Sequence, residues 1–101
     1  MIRHIVLLKA RPDVTDAHVA SIFADLQALK LPGLLAIHSG RSESPEKIER
    51  GYLHGFTIDF ADWQALATYQ DHPDHKRVGA ALVAAAEGGI DGILVFDLPI
   101  P

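Results

Sequence analysis

YLHGFTIDF, residues 52–60, alternates over its whole length. Tyr52, His54, Phe56, Ile58 and Phe60 fall on one side of an extended chain, and Leu53, Gly55, Thr57 and Asp59 fall on the other. A period of two carried by aromatic and β-branched residues predicts a strand, and the bulkier set is the face expected to lie under helices. That reading organises the rest of the chain.

Upstream, residues 34–40 read as a second strand, joined to the one at 52–60 by the polar, turn-rich loop RSESPEKIERG. Before it, Val19, Ile22, Phe23, Leu26 and Leu29 recur at intervals of three and four, which predicts an amphipathic helix over residues 16–29. Thr15 is placed to cap that helix, and Pro32-Gly33 to end it. Residues 2–9, IRHIVLLK, are short and β-branched, with apolar residues on both sides, so a strand covered on both faces is expected. Downstream, Asp62 is positioned to cap a short helix carrying Trp63, Leu66 and Tyr69. His72-Pro73 interrupts it, a second helical run reaches about Glu87, and residues 93–98 form a last strand stopped by Pro99.

The order β-α-β-β-α-β predicts an α+β, ferredoxin-like sandwich occupying residues 1–101 as one domain. Helices on one face of a four-stranded sheet leave the other bare. Ile5, Leu7, Leu53, Leu94, Phe96 and Leu98 would then meet water, so a homodimer packed sheet to sheet is expected.

Composition narrows the partners. The chain has 101 residues, 49% of them hydrophobic and 22% charged, and a net charge of −4. Its nine Lys and Arg are scattered, so nucleic-acid binding lacks an electrostatic footprint. The absence of cysteine excludes disulfides, thiolate nucleophiles and Cys-based zinc sites. The apolar run near the N-terminus is broken by Lys9 and Arg11, too soon for a signal peptide or a membrane span, so a cytoplasmic chain without membrane contact is expected.

Chemistry concentrates around HPDH, residues 72–75. A residue before proline is steered away from helical angles, so His72 falls outside the helix as its cap, with Pro73 at the first helical position. Asp74 complements the helix dipole, and His75 is free to turn inward. His4 and His54 lie on the helix-facing sides of the first and third strands, the adjacent central pair in this topology, and are expected to be neighbours there. Alone, His4 and His54 each read more readily as a satisfied core histidine, and Tyr69 reads as a buried ring with a wet hydroxyl. Three imidazoles and a phenol converging would form a donor and acceptor set suited to general acid/base chemistry near neutral pH. Metal binding is the weakest reading: Pro73 points the rings of His72 and His75 apart, no zinc-hydrolase motif is present, and no metal ligands are assigned.

IRHIVLLK, RGYLHGFTIDF, YQDHPDH and ILVFDL together resemble the stress-responsive A/B barrel (Dabb) family, over essentially the whole chain. Its members are dimeric α+β barrels and include plant heat-stable stress proteins and a plant polyketide cyclase that closes a ring by aldol chemistry without a cofactor. The resemblance implies that Tyr69 and His75 match the cyclase's catalytic pair, that His4 and His54 match its assisting histidines, and that no cofactor is needed. Lys76 and Arg77 depart from it, standing where the cyclase has small and apolar residues, as do Ala24 and Gln27 where it is aromatic. The leading expectation is a homodimer binding an unidentified small molecule in a pocket lined by His4, His54, Val6, Phe23, Phe56, Tyr69 and His75. There His75 would act as base and Tyr69 would stabilise the oxyanion. The alternative is a non-catalytic stress-response or structural dimer whose histidines satisfy one another.

Overall fold

The computed structural model describes residues 1–101. Strands β1 (Ile2–Leu8), β2 (Leu34–Arg41), β3 (His54–Phe60) and β4 (Ile93–Pro99) form one sheet in the order β2-β3-β1-β4, with every neighbouring pair antiparallel. Helices α1 (Asp16–Gln27), α2 (Trp63–Asp71) and α3 (Pro73–Ala85) cover one face, and a short 3-10 turn, Gly89–Gly92, leads into β4. This is the ferredoxin-like α+β arrangement, with the second helical region divided in two.

Alternation sets the core. Ile2, His4, Val6 and Leu8 of β1 and His54, Phe56, Ile58 and Phe60 of β3 are all buried, and their neighbours along each strand are not. They pack against Val19, Ile22, Phe23 and Leu26 of α1, Leu66 and Tyr69 of α2, and Val78 and Leu82 of α3. Thr15 Oγ1 accepts the amide of His18 at 3.1 Å, and Asp62 Oδ1 accepts that of Ala65 at 2.9 Å, so both helices start where the caps stand in the sequence.

The last strand runs through Pro99, which pairs with Ile2, and three boundaries differ from the sequence expectation by about two residues. Helix α1 stops at Gln27, not Leu29, because the residue before Pro32 cannot continue a helix and the chain turns through Leu29 N–H to Leu26 O. Leu29 stays buried beyond the helix end. Strand β3 begins at His54, not Tyr52, because Arg50 and Gly51 adopt φ of 59° and 89° and spend the following residues completing a turn. The run expected to reach about Glu87 ends at Ala85, where Ala86 turns extended and bridges Ala10. Gly33 allows the turn into β2 to press on α2: its φ is +82°, and a Cβ there would lie 2.6 Å from that of Ala65.

The opposite face of the sheet is bare. Leu7, Leu94, Phe96 and Leu98 are exposed, Phe96 at 60%, and Ile5 and Leu53 are half-buried. Arg3 and Asp59, paired across β1 and β3, form a two-pronged ion pair on this face at 2.9 and 3.2 Å. The Arg3 hydrogen bond holds the Asp59 carboxyl below its ordinary pKa. No helix is long and apolar enough to cross a membrane.

Candidate active site

The sheet, the α2–α3 junction and the 3-10 turn enclose a cavity of about 400 Å³. His4, Tyr69, His75, Gln70 and Lys76 supply its polar lining, and Val6 and Phe56 belong to its floor. Val78, Leu82, Val83, Ile90, Ile93 and Val95 make the remaining wall aliphatic. Gly79 adds room, since a Cβ built on it would meet no heavy atom within 4 Å.

A break in the helix fixes His75. His72 caps α3 by accepting the Asp74 amide on Nδ1 at 3.0 Å, with Pro73 at the start of the helix. In an unbroken helix that amide would bond the Gln70 carbonyl, four residues back. The carbonyl is instead taken by His75, whose Nδ1–H donates to it at 3.0 Å. An oxygen that can only accept requires the hydrogen on Nδ1, which leaves the Nε2 lone pair free. Burial depresses the pKa of His75 below its ordinary 6.5, against a smaller opposing effect of the Gln70 bond. The ring is therefore a neutral proton acceptor near pH 7.

Tyr69 stands beside it, with ring centroids 4.5 Å apart. The phenol is 1% exposed, and burial raises its pKa far above the ordinary value, so it is a hydrogen-bond donor and not a phenolate. Its hydroxyl makes no hydrogen bond within the chain, yet no fully buried side-chain oxygen or nitrogen lacks a partner, so the hydroxyl keeps access to the cavity Tyr69 lines. His4 packs 5.8 Å from the Tyr69 ring, edge-on. Its Nδ1 bonds Asp97 Oδ1 at 2.5 Å across the β1–β4 pair, where the two residues face each other in register. The carboxylate holds the hydrogen on Nδ1 and turns Nε2 away from it.

His54 and Phe23 lie outside the cavity. The antiparallel register sets His54 opposite Leu8, while His4 faces Ile58. The two histidines share a face but sit four residues apart, about 13 Å along a strand. His54 Nε2 lies 3.3 Å from Asp16 at the start of α1, whose other oxygen is 3.3 Å from Arg41 Nε. Phe23 stacks edge-on against Phe56 at 5.5 Å and backs the cavity floor from within the core.

Gln70, Lys76 and the aliphatic wall were not singled out as lining from the sequence, nor was Asp97 as the partner of His4. Val78, Gly79, Leu82 and Val83 follow His75 at three, four, seven and eight residues, the spacing of one helix face. Asp97 shares parity with Val95 on the last strand, but pairing it with His4 requires the register. Across the chain, no three His, Asp or Glu side chains converge as a metal site would require.

Comparison with known proteins agrees with this fold. The model of the family described as the stress responsive A/B barrel domain matches residues 2–100. Olivetolic acid cyclase of Cannabis sativa is 24% identical over 98 residues, spanning 95% of this chain and 93% of the cyclase. Among solved structures, a dimeric ferredoxin-like protein from Jannaschia sp. CCS1 superposes with a TM-score of 0.92 and 36% identity, covering 98% of each chain. The hydroxynitrile lyase of Passiflora edulis shares the fold at a TM-score of 0.83 with 20% identity, covering 99% of this chain and 93% of the lyase.

Proposed function

This chain belongs to the stress responsive A/B barrel domain family, and from that premise we propose that it is a homodimeric, cofactor-independent acid/base catalyst acting on a small carbonyl compound. The observation that carries the reading is the single free nitrogen of His75, held in a fixed tautomer at a cavity wall beside an unpartnered Tyr69 hydroxyl. His75 Nε2 takes a proton from the carbon next to the carbonyl. The electron pair moves onto the carbonyl oxygen, and Tyr69 donates a hydrogen bond to the charge that develops there. His4, oriented by Asp97, positions the substrate from the sheet side. His54 lies too far along β3 to share this step and serves the α1 end of the fold through Asp16. The relatives support the reading: one is named as a cyclase, and a protein named as a hydroxynitrile lyase shares the fold. The dimeric description of the Jannaschia protein and the bare apolar face support pairing sheet to sheet.

The direct test is deuterium exchange at the carbon beside the carbonyl of 2-hexanone in D₂O, followed by NMR. His75→Gln is expected to lower the protein-dependent rate about 10²–10⁴-fold, and Tyr69→Phe to lower it less. An unchanged rate in His75→Gln would overturn the reading. The non-catalytic dimer draws support from the complete pairing of buried polar side chains. It expects His75→Ala to cost about 0.5–1.5 kcal/mol of unfolding free energy at fixed protein concentration, the loss of the bond to the Gln70 carbonyl.

A further inference from the structure

We infer that the cavity takes its carbonyl substrate as an anion, an oxo acid with a short aliphatic tail whose carboxylate is held by Lys76. The inference rests on the acid/base site proposed above and names the substrate class. Lys76 lines the cavity and has no carboxylate partner. The neighbouring cation is spoken for: Arg77 bonds Asp74 at 2.7 Å. Neither Asp nor Glu lines the cavity. Asp97, the acidic group just behind the wall, is bonded by His4. In a chain of net charge −4, this leaves Lys76 as the one Lys, Arg, Asp or Glu side chain lining a largely aliphatic cavity.

Position defines the anion further. Lys76 and His75 line the same cavity, so a carboxylate on the Lys76 ammonium shares that space with the carbon that His75 Nε2 would deprotonate. A carboxylate near the ketone meets this, with the tail directed toward Val78, Leu82 and Ile93. The Lys76 charge is also felt at His75, where it adds to the forces disfavouring protonation. The proton step is unaltered: a C–H bond breaks, an N–H bond forms on His75, and the electron pair rests on the ketone oxygen. Lys76 binds and transfers nothing.

The experiment titrates wild type and Lys76→Gln with 2-oxohexanoate and with its methyl ester, following the His75 ring resonances by NMR. Wild type is expected to bind the acid about tenfold more tightly than the ester, as a charged hydrogen bond warrants, with an advantage that shrinks as salt is added. Lys76→Gln is expected to erase the preference, and Lys76→Arg to retain it. Equal binding of acid and ester by wild type, or a preference that survives in Lys76→Gln, would overturn the inference while leaving the acid/base reading standing. If neither compound moves the His75 resonances, both fail together.

Discussion

The two faces of the sheet are made of similar residues and live in different surroundings. One carries Ile2, Val6, Leu8, Phe56, Ile58 and Phe60, and the other Ile5, Leu7, Leu94, Phe96 and Leu98. The first is closed by three helices, the second by nothing within the chain. Polar pairs separate them more clearly. His4–Asp97 on the covered face buries an imidazole to 6% side-chain exposure, whereas Arg3–Asp59 on the open face leaves the guanidinium at 42%. Apolar content therefore says that a face wants cover. Only the burial of its polar groups tells which face was given that cover by the same chain, and chemistry that needs exclusion of water belongs there.

The contrast can be attacked from its strongest side first. Phe60→Ala removes a fully buried ring and is expected to cost about 3–5 kcal/mol in denaturant unfolding. If Phe96→Ala cost as much at protein concentrations low enough to dissociate any dimer, the open face would not be open. Phe96→Asp tests the cover proposed for that face: sedimentation is expected to show a folded protein of half the wild-type mass, and an unchanged mass would remove the sheet-to-sheet dimer.

The polar pairs come next. Asp97→Ala strands a buried imidazole and is expected to cost about 1–3 kcal/mol. Asp59→Ala, measured on the monomeric variant, is expected to cost about 0.2–1 kcal/mol, because an exposed pair is screened by water and salt. Nearly equal losses would erase the distinction between the faces.

The smallest effect is a slope. The folded state lowers the pKa of His75 below 6.5, so the unfolded chain holds more protons just below that pH. The associated stability is full above the ordinary histidine value and is lost as pH falls through it toward the depressed one. His75→Gln is expected to flatten the loss of stability on acidification, seen in melting temperatures recorded across this window. A slope identical to wild type would mean that the ring titrates as it does in water.

How much of this was legible in the sequence depended on the range of the interaction. The alternation of residues 54–60, the Thr15 and Asp62 caps and the His72-Pro73 break are local, and each stands where the residues place it. The pairing of His4 with Asp97 and the separation of His4 from His54 are not local. Both follow from which residue faces which across antiparallel strands, and a one-position slip would have changed either. Sharing a face was readable, whereas distance along it was not. Lys76 illustrates a different limit, since a lysine in the first turns of a helix reads as surface until the cavity beneath it is seen.

The bond from His75 to the Gln70 carbonyl has a consequence for inheritance. The acceptor that sets the state of the ring belongs to the main chain, and every amino acid carries it. Replacements at position 70 that leave the backbone in place would keep the histidine in the same tautomer. Such a position can drift freely among descendants while remaining indispensable in every one of them. The burden of preservation moves instead to the punctuation, His72 and Pro73, which never meet the reacting molecule. A lineage could lose its chemistry through a change at Pro73 that heals the helix, with every side chain around the cavity still in its place.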